Sequence, residues 1–177
     1  MADPLLVVDV QQGFLHSYTH HIPARIAQLI ERDRPDPVLF TRFVNPPDGP
    51  YHRFLDWHAC VGSPETDLAP ELVPFATPEQ VFVKDGSTGI SDELAEELQR
   101  RRIERVTVVG IDTDMCVLKV AMDVFDLGIQ PLVLIDCCAS TAGLQAHLAG
   151  LAVLSRNIGA EALRDAGLNG GGLAAPR

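Results

Sequence analysis

The sequence predicts a three-layer α/β/α fold built on a doubly wound, mostly parallel sheet of about six strands. Three observations carry this. Short β-branched runs recur along the chain, and each ends at a polar residue or a glycine. Longer segments with apolar residues at helical spacing separate them. The runs are also apolar at consecutive positions rather than alternate ones, as in strands covered on both faces. Strands alternating with helices make βαβ units and so a parallel sheet with helices on either side.

The strand candidates, in order, are Leu5–Val8 ending at Asp9, and Val38–Phe40 continuing into Thr41 and Arg42. Val81–Val83 then ends at Lys84, Val106–Val109 at Gly110, and Leu132–Ile135 at Asp136. Four helices fall between or after them. Pro23–Arg34 carries Ile26, Leu29 and Ile30 on one face. Ser91–Arg102 opens on an N-cap serine, with glutamates early and arginines late, which suits the helix dipole. Asp114–Leu127 stops at Gly128, and Gly143–Arg156 is the fourth.

At 177 residues the chain has the length of one domain with a full core, and residues 1–168 read as that single domain. The tail 169–177, NGGGLAAPR, is expected to fray. Val44–Pro78 differs from the rest. It holds seven of the 13 prolines and little periodicity, and reads as an ordered excursion that shapes a pocket or an interface.

Composition excludes several classes. A formal net charge of −10 disfavours nucleic acid and anionic membranes as partners. No apolar stretch approaches the roughly 20 residues of a membrane span. The N-terminus has no basic n-region and its apolar run breaks at Asp9, so a cytoplasmic protein is expected. The four cysteines, Cys60, Cys116, Cys137 and Cys138, show neither CxxC pairs nor zinc-knuckle spacing. A disulfide framework is not expected.

Ligands of doubly wound sheets bind beyond the carboxyl ends of the strands. Asp9 and Lys84 end strands there, and Cys116 follows a third after a short loop. A carboxylate, an ammonium and a thiol form a workable nucleophile set: the base takes the thiol proton and the cation favours the thiolate. Each residue alone has a plainer reading, as a turn cap, a solvated lysine and a core cysteine. Their conjunction favours chemistry. With Thr113 as N-cap, Cys116 falls in the first helical turn, where the dipole supports an anion. Asp112 and Asp114 act against that anion, and Lys84 offsets them.

Three segments, LLVVDVQQGFL, VFVKDGSTGI and VVGIDTDMCVLKVAMDVFDLG, resemble in order and spacing the isochorismatase-like cysteine hydrolases. That superfamily includes nicotinamidases and N-carbamoylsarcosine amidohydrolase. The resemblance runs from about Leu5 to Gly159. Its most specific element is G-x-x-T-D-x-C-V, met by Gly110, Thr113, Asp114, Cys116 and Val117. It implies a catalytic triad of Asp9, Lys84 and Cys116, a cis peptide between Ile111 and Asp112, and an oxyanion hole from the amides of Asp112 and Cys116. It also implies hydrolysis of a small amide or carbamoyl compound through a thioester, and a homo-oligomer. Gln11, Phe14, Asp112 and Thr113 are the substrate-pocket candidates.

The sequence departs from that pattern at Asp112, a position usually small in the family, and after Lys84, where relatives often carry an aromatic or Ser-Ala-Phe stretch. A carboxylate at 112 either selects a cationic or hydrogen-bond-donating substrate or turns away and binds structurally. Nicotinamidases hold a zinc-type ion through a D-x-H element and a further histidine. Asp56-Trp57-His58 has the first spacing, but no histidine lies between His58 and His147, and no metal or other cofactor is expected. His20, His21 and His52 read as surface residues, and His147 as a packing or interface residue. KDGSTG lacks the order of a phosphate loop and reads as a turn. Vinyl-ether hydrolysis of the isochorismatase type and a non-catalytic binding protein are the competing readings. The intact cysteine argues against the first and the intact triad against the second.

Overall fold

A computed structural model describes residues 3–86 and 88–168. The expected tail 169–177, and Ser87 within the KDGSTG turn, lie outside the described residues. Six strands form one sheet: β1 (Leu5–Val8), β2 (Val38–Phe43), β3 (Val81–Lys84), β4 (Arg105–Ile111), β5 (Gln130–Ala139) and β6 (Leu163–Arg164). Their order is β3-β2-β1-β4-β5-β6, and every pair is parallel. The sheet is therefore wholly parallel rather than mostly so.

Four consecutive apolar residues in β1 divide between two cores. Leu5 and Val7 face one side with Ile22, Ile26 and Leu29 of α1 (Ile22–Asp33). Leu6 and Val8 face the other, with Leu94 and Leu98 of α3 (Asp92–Arg100). Val120 and Val124 of α4 (Leu118–Asp126) and Leu154 of α5 (Leu144–Ile158) share that second core. Successive side chains of a strand point to opposite faces, so a fully apolar run needs helices on both. That requirement gives the three layers. Ser91 caps α3 as its sequence predicts, its hydroxyl accepting from the amide of Leu94.

Three of the boundaries that differ from expectation lie beside the site. β4 runs past Gly110 to Ile111. β5 runs through Asp136, Cys137 and Cys138 instead of ending at Asp136, because both cysteines are buried and extend its pairing. The helix expected at Asp114–Leu127 begins with a π-turn over Thr113–Val117, and only Leu118–Asp126 is α-helical.

The excursion after β2 is ordered. It contains α2 (Pro50–Leu55) and returns to the end of β1. There Ala69 donates its amide to Val10 O, and Gln12 to Asp67 O, both at 2.9 Å. No helix among the described residues is long and apolar enough to cross a membrane.

Candidate active site

The chain travels from β1 outward to β3 and then returns to β4 on the other side of β1. In a doubly wound sheet this reversal opens a crevice at the carboxyl ends of the two central strands. Asp9 follows β1 and turns there with φ +49°, a left-handed conformation that aspartate tolerates better than most residues. β4 ends at Ile111, the Ile111–Asp112 peptide is cis, and the π-turn carrying Cys116 begins at once.

Gly110 makes this approach possible. It sits beside Val8 in register with φ +134°, and a Cβ there would stand 2.2 Å from the Val8 carbonyl oxygen. On the far side, Gly150 of α5 packs against the π-turn, where a Cβ would stand 2.8 Å from the Asp114 Cα and amide nitrogen.

Asp9 is fully buried. Its Oδ1 accepts from the Thr41 hydroxyl at 2.7 Å, and its Oδ2 lies 2.7 Å from Lys84 Nζ. The Lys84 side chain is 4% exposed and that of Asp9 0%, so the ion pair is sealed from bulk water. Burial works to lower the Lys84 pKa, but attraction to Asp9 and Cys116 outweighs it and holds the ammonium above its usual range. Lys84 Nζ also lies 5.7 Å from the centre of the Phe43 ring.

Cys116 borders this pair. Burial, with the negative charge of Asp9 adding to it, pushes the thiol well above the ordinary range, and Lys84 only partly offsets the rise. Resting Cys116 is therefore a protonated thiol. The sequence argument from helix dipole and cation pointed toward a thiolate, and desolvation overrides it.

Thr113 does not cap a helix over Cys116. β4 extends far enough for Asp112 to take the cap position, and the Asp112 carbonyl accepts from the amides of Met115 and Val117, either side of Cys116. The Thr113 side chain is buried against α5, its Oγ1 2.8 Å from His147 Nδ1.

A cavity of about 540 Å³ opens above Cys116. Ile111, Asp112, Met115, Cys116 and Thr141 line it, together with the rings of Phe14, Phe43, Tyr51 and Trp57. Phe14 and Trp57 stack at 6.3 Å with planes 13° apart, and Phe43 meets Tyr51 edge-on at 5.4 Å. Phe14 and Asp112 thus line the cavity, whereas Gln11 and Thr113 do not. Gln11 is wholly buried and extends the sheet with its side chain: Nε2 donates to Phe43 O at 2.8 Å, and Oε1 accepts from Phe43 N at 2.7 Å. Phe43, Tyr51, Trp57 and Thr141 escaped the sequence reading. The aromatic cluster within the proline-rich excursion was the available signal.

The Asp112 side chain stays in the cavity wall. Its Oδ1 accepts from the Thr141 amide at 2.5 Å and its Oδ2 from the Thr141 hydroxyl at 2.8 Å. Burial raises its pKa, and the two Thr141 donors partly counter this.

Both ring nitrogens of His58 are engaged within the protein, Nε2 with Asp56 Oδ1 at 2.8 Å and Nδ1 with His52 Nδ1 at 3.3 Å. Among the described residues no group of three or more His, Cys, Asp or Glu side chains is placed to hold a metal ion. His20 and His21 are exposed, and His52 is half-buried against His58.

Comparison with known proteins agrees with this architecture. Over 99 residues the chain is 37% identical to the nicotinamidase/pyrazinamidase of Mycobacterium tuberculosis, a match covering 50% of this chain and 51% of that protein. The chain spans about half the length of this curated relative in that match. An isochorismatase-like hydrolase from Alkaliphilus metalliredigens superposes with a TM-score of 0.80 at 21% identity, over 94% of this chain and 96% of that one. The pyrazinamidase/nicotinamidase of Streptococcus mutans UA159 superposes with a TM-score of 0.77 at 25% identity, over 91% and 99%. The isochorismatase domain model matches residues 4–165, nearly the whole chain, and the chain therefore belongs to the isochorismatase family.

Proposed function

We propose that this chain hydrolyses the C–N bond of a small amide or carbamoyl compound through a thioester on Cys116. The observation that carries the reading is the sealed Asp9–Lys84 pair beside Cys116, which lines an aromatic-walled cavity. The relatives named as nicotinamidases support it.

The protonated thiol needs a base, and Asp9 is the carboxylate beside it. Asp9 takes the proton as sulfur attacks the carbonyl carbon, so a C–S bond forms and the carbonyl π pair moves to oxygen. The amides of Asp112 and Cys116 receive that oxyanion. The tetrahedral adduct collapses, Asp9 returns the proton to nitrogen, the C–N bond breaks and ammonia or an amine leaves. Water then gives a proton to Asp9 and attacks the thioester. The C–S bond breaks, an acid is released, and the thiol recovers its proton. Lys84 balances the charge of the carboxylate out of water.

Ammonia release from a panel of small amides tests this, together with intact-mass detection of an acyl adduct after rapid acid quench. Cys116→Ala is expected to lose both signals. Turnover at an undiminished rate in Cys116→Ala would rule out the covalent route.

A further inference from the structure

Asp112 places a carboxylate in the wall of a cavity whose remaining surface is aromatic, aliphatic or neutral. Among the described residues that line it, Asp112 is the only carboxylate and there is no lysine or arginine; His16 is the one histidine, and its charge acts on Asp112. Beneath the floor, Asp9 and Lys84 cancel each other at 2.7 Å. With His16 neutral, the cavity is therefore net negative.

Asp112 also keeps capacity to bind. A carboxylate offers about four acceptor positions. Thr141 fills one on each oxygen, by its amide and its hydroxyl, and both are donors that select the ionised form. The carboxylate is thus fixed in orientation with acceptor positions to spare. Four rings line the same cavity, with centres 5.4–6.3 Å from their neighbours. Aromatic faces attract cations, most strongly where water is excluded. A neutral ligand gains no charge attraction from such a wall, and an anion is repelled by Asp112.

We propose that this site selects amides bearing a positively charged group, with Asp112 and the Phe14/Phe43/Tyr51/Trp57 wall as its charge-reading elements. The inference rests on the amide-hydrolase reading of the site and adds the substrate class.

Two amides that differ only in charge provide the test. In (trimethylammonio)acetamide a cationic nitrogen replaces the quaternary carbon of 3,3-dimethylbutanamide. Trp57 is the single tryptophan and lines the cavity, so its fluorescence reports binding directly. Titrations on Cys116→Ala read affinity without turnover. The cationic amide is expected to bind roughly tenfold more tightly. Adding Asp112→Asn, which keeps an acceptor for Thr141, is expected to erase most of that preference.

Equal affinities, or no binding of the cation at millimolar concentration, would overturn the proposal. A preference that survives Asp112→Asn would remove Asp112 from it. The comparison on Cys116→Ala stands even if the double variant fails to fold. Ammonia release from the same pair by the unaltered protein separates the two readings. A charge preference without ammonia defeats the hydrolase alone, and ammonia from both amides without preference defeats charge selection alone.

Discussion

Lys84 Nζ lies 2.7 Å from Asp9 Oδ2 although the two residues follow strands separated by a third. Strands spaced about 4.8 Å apart put β3 and β1 about 10 Å from one another. A side chain as long as lysine is needed to cross β2, and it does so past the Phe43 ring. Thr41 of β2 completes the arrangement by donating to the other oxygen of Asp9. Three neighbouring strand ends thus fix one carboxylate.

Removing one partner of this pair is expected to be costly. Lys84→Met leaves a buried carboxylate without its cation, and denaturant unfolding should show a loss of roughly 3–5 kcal/mol. The double variant Asp9→Asn/Lys84→Met should recover much of it, because no isolated charge remains. Lys84→Met and the single variant Asp9→Asn are each expected to lose roughly 10²–10⁴-fold in amide hydrolysis. A double variant no more stable than Lys84→Met would mean that packing, rather than charge, sets the cost.

Thiol reactivity should follow the same charges. A free cysteine titrates near about 8.5. Burial and Asp9 hold Cys116 above its ordinary value, so alkylation by iodoacetamide should be slow at pH 7 and keep rising beyond pH 9 without a plateau. Asp9→Asn removes an anion that raises the pKa and should accelerate alkylation at pH 8. Lys84→Met removes the cation that lowers it and should slow the reaction. Peptide mass spectrometry distinguishes Cys116 from Cys60, Cys137 and Cys138, which are buried. Opposite responses in the two variants would contradict the assigned charge environment.

Much of this site was legible in the sequence because it depends on where strands stop. LLVV ending at Asp9 and VFVK ending at Lys84 announce buried parallel strands with a polar residue at the carboxyl end. What was not legible depends on partners far along the chain. Gln11 looks like a pocket residue because it lies two positions after Asp9. Its side chain is instead committed to the backbone of Phe43, 32 residues away. Thr113 looks like a helix cap, but one further residue of β4 hands that position to Asp112 and frees Thr113 for His147. The aromatic wall is carried by Tyr51 and Trp57, in a stretch whose lack of periodicity hides which side chains face inward. Thr141 reaches Asp112 across 29 residues, through a pairing that local patterning does not encode.

Gly150 offers a test of the packing behind the π-turn that carries Cys116. In an exposed helix interior, alanine in place of glycine gains about 1 kcal/mol. Here a Cβ would lie 2.8 Å from Asp114 Cα and 2.9 Å from the Thr113 carbonyl carbon, and both are backbone atoms that cannot rotate away. Gly150→Ala is therefore expected to destabilise the protein by roughly 1–3 kcal/mol and to lower turnover as the π-turn shifts. A rise in melting temperature with unchanged turnover would show that α5 and the turn have slack between them.

The Thr113–His147 contact carries a pH dependence whose sign follows from His147. Burial lowers its pKa, Asp114 acts in the opposite direction, and His21 adds to the lowering. The folded state therefore binds fewer protons than the unfolded chain between the depressed value and the ordinary one near 6.5. Stability from this group is complete above pH 6.5 and is lost as the pH falls through the folded value. His147→Gln keeps a polar partner for Thr113 Oγ1 without titrating. Melting curves from pH 8 to pH 5 should then show a smaller loss for His147→Gln than for the unaltered protein. His21, also lowered by burial and by its neighbours His20 and Arg25, contributes in the same direction. A further His21→Gln change should flatten the profile again. Parallel profiles for all three proteins would assign the acid sensitivity to carboxylates alone.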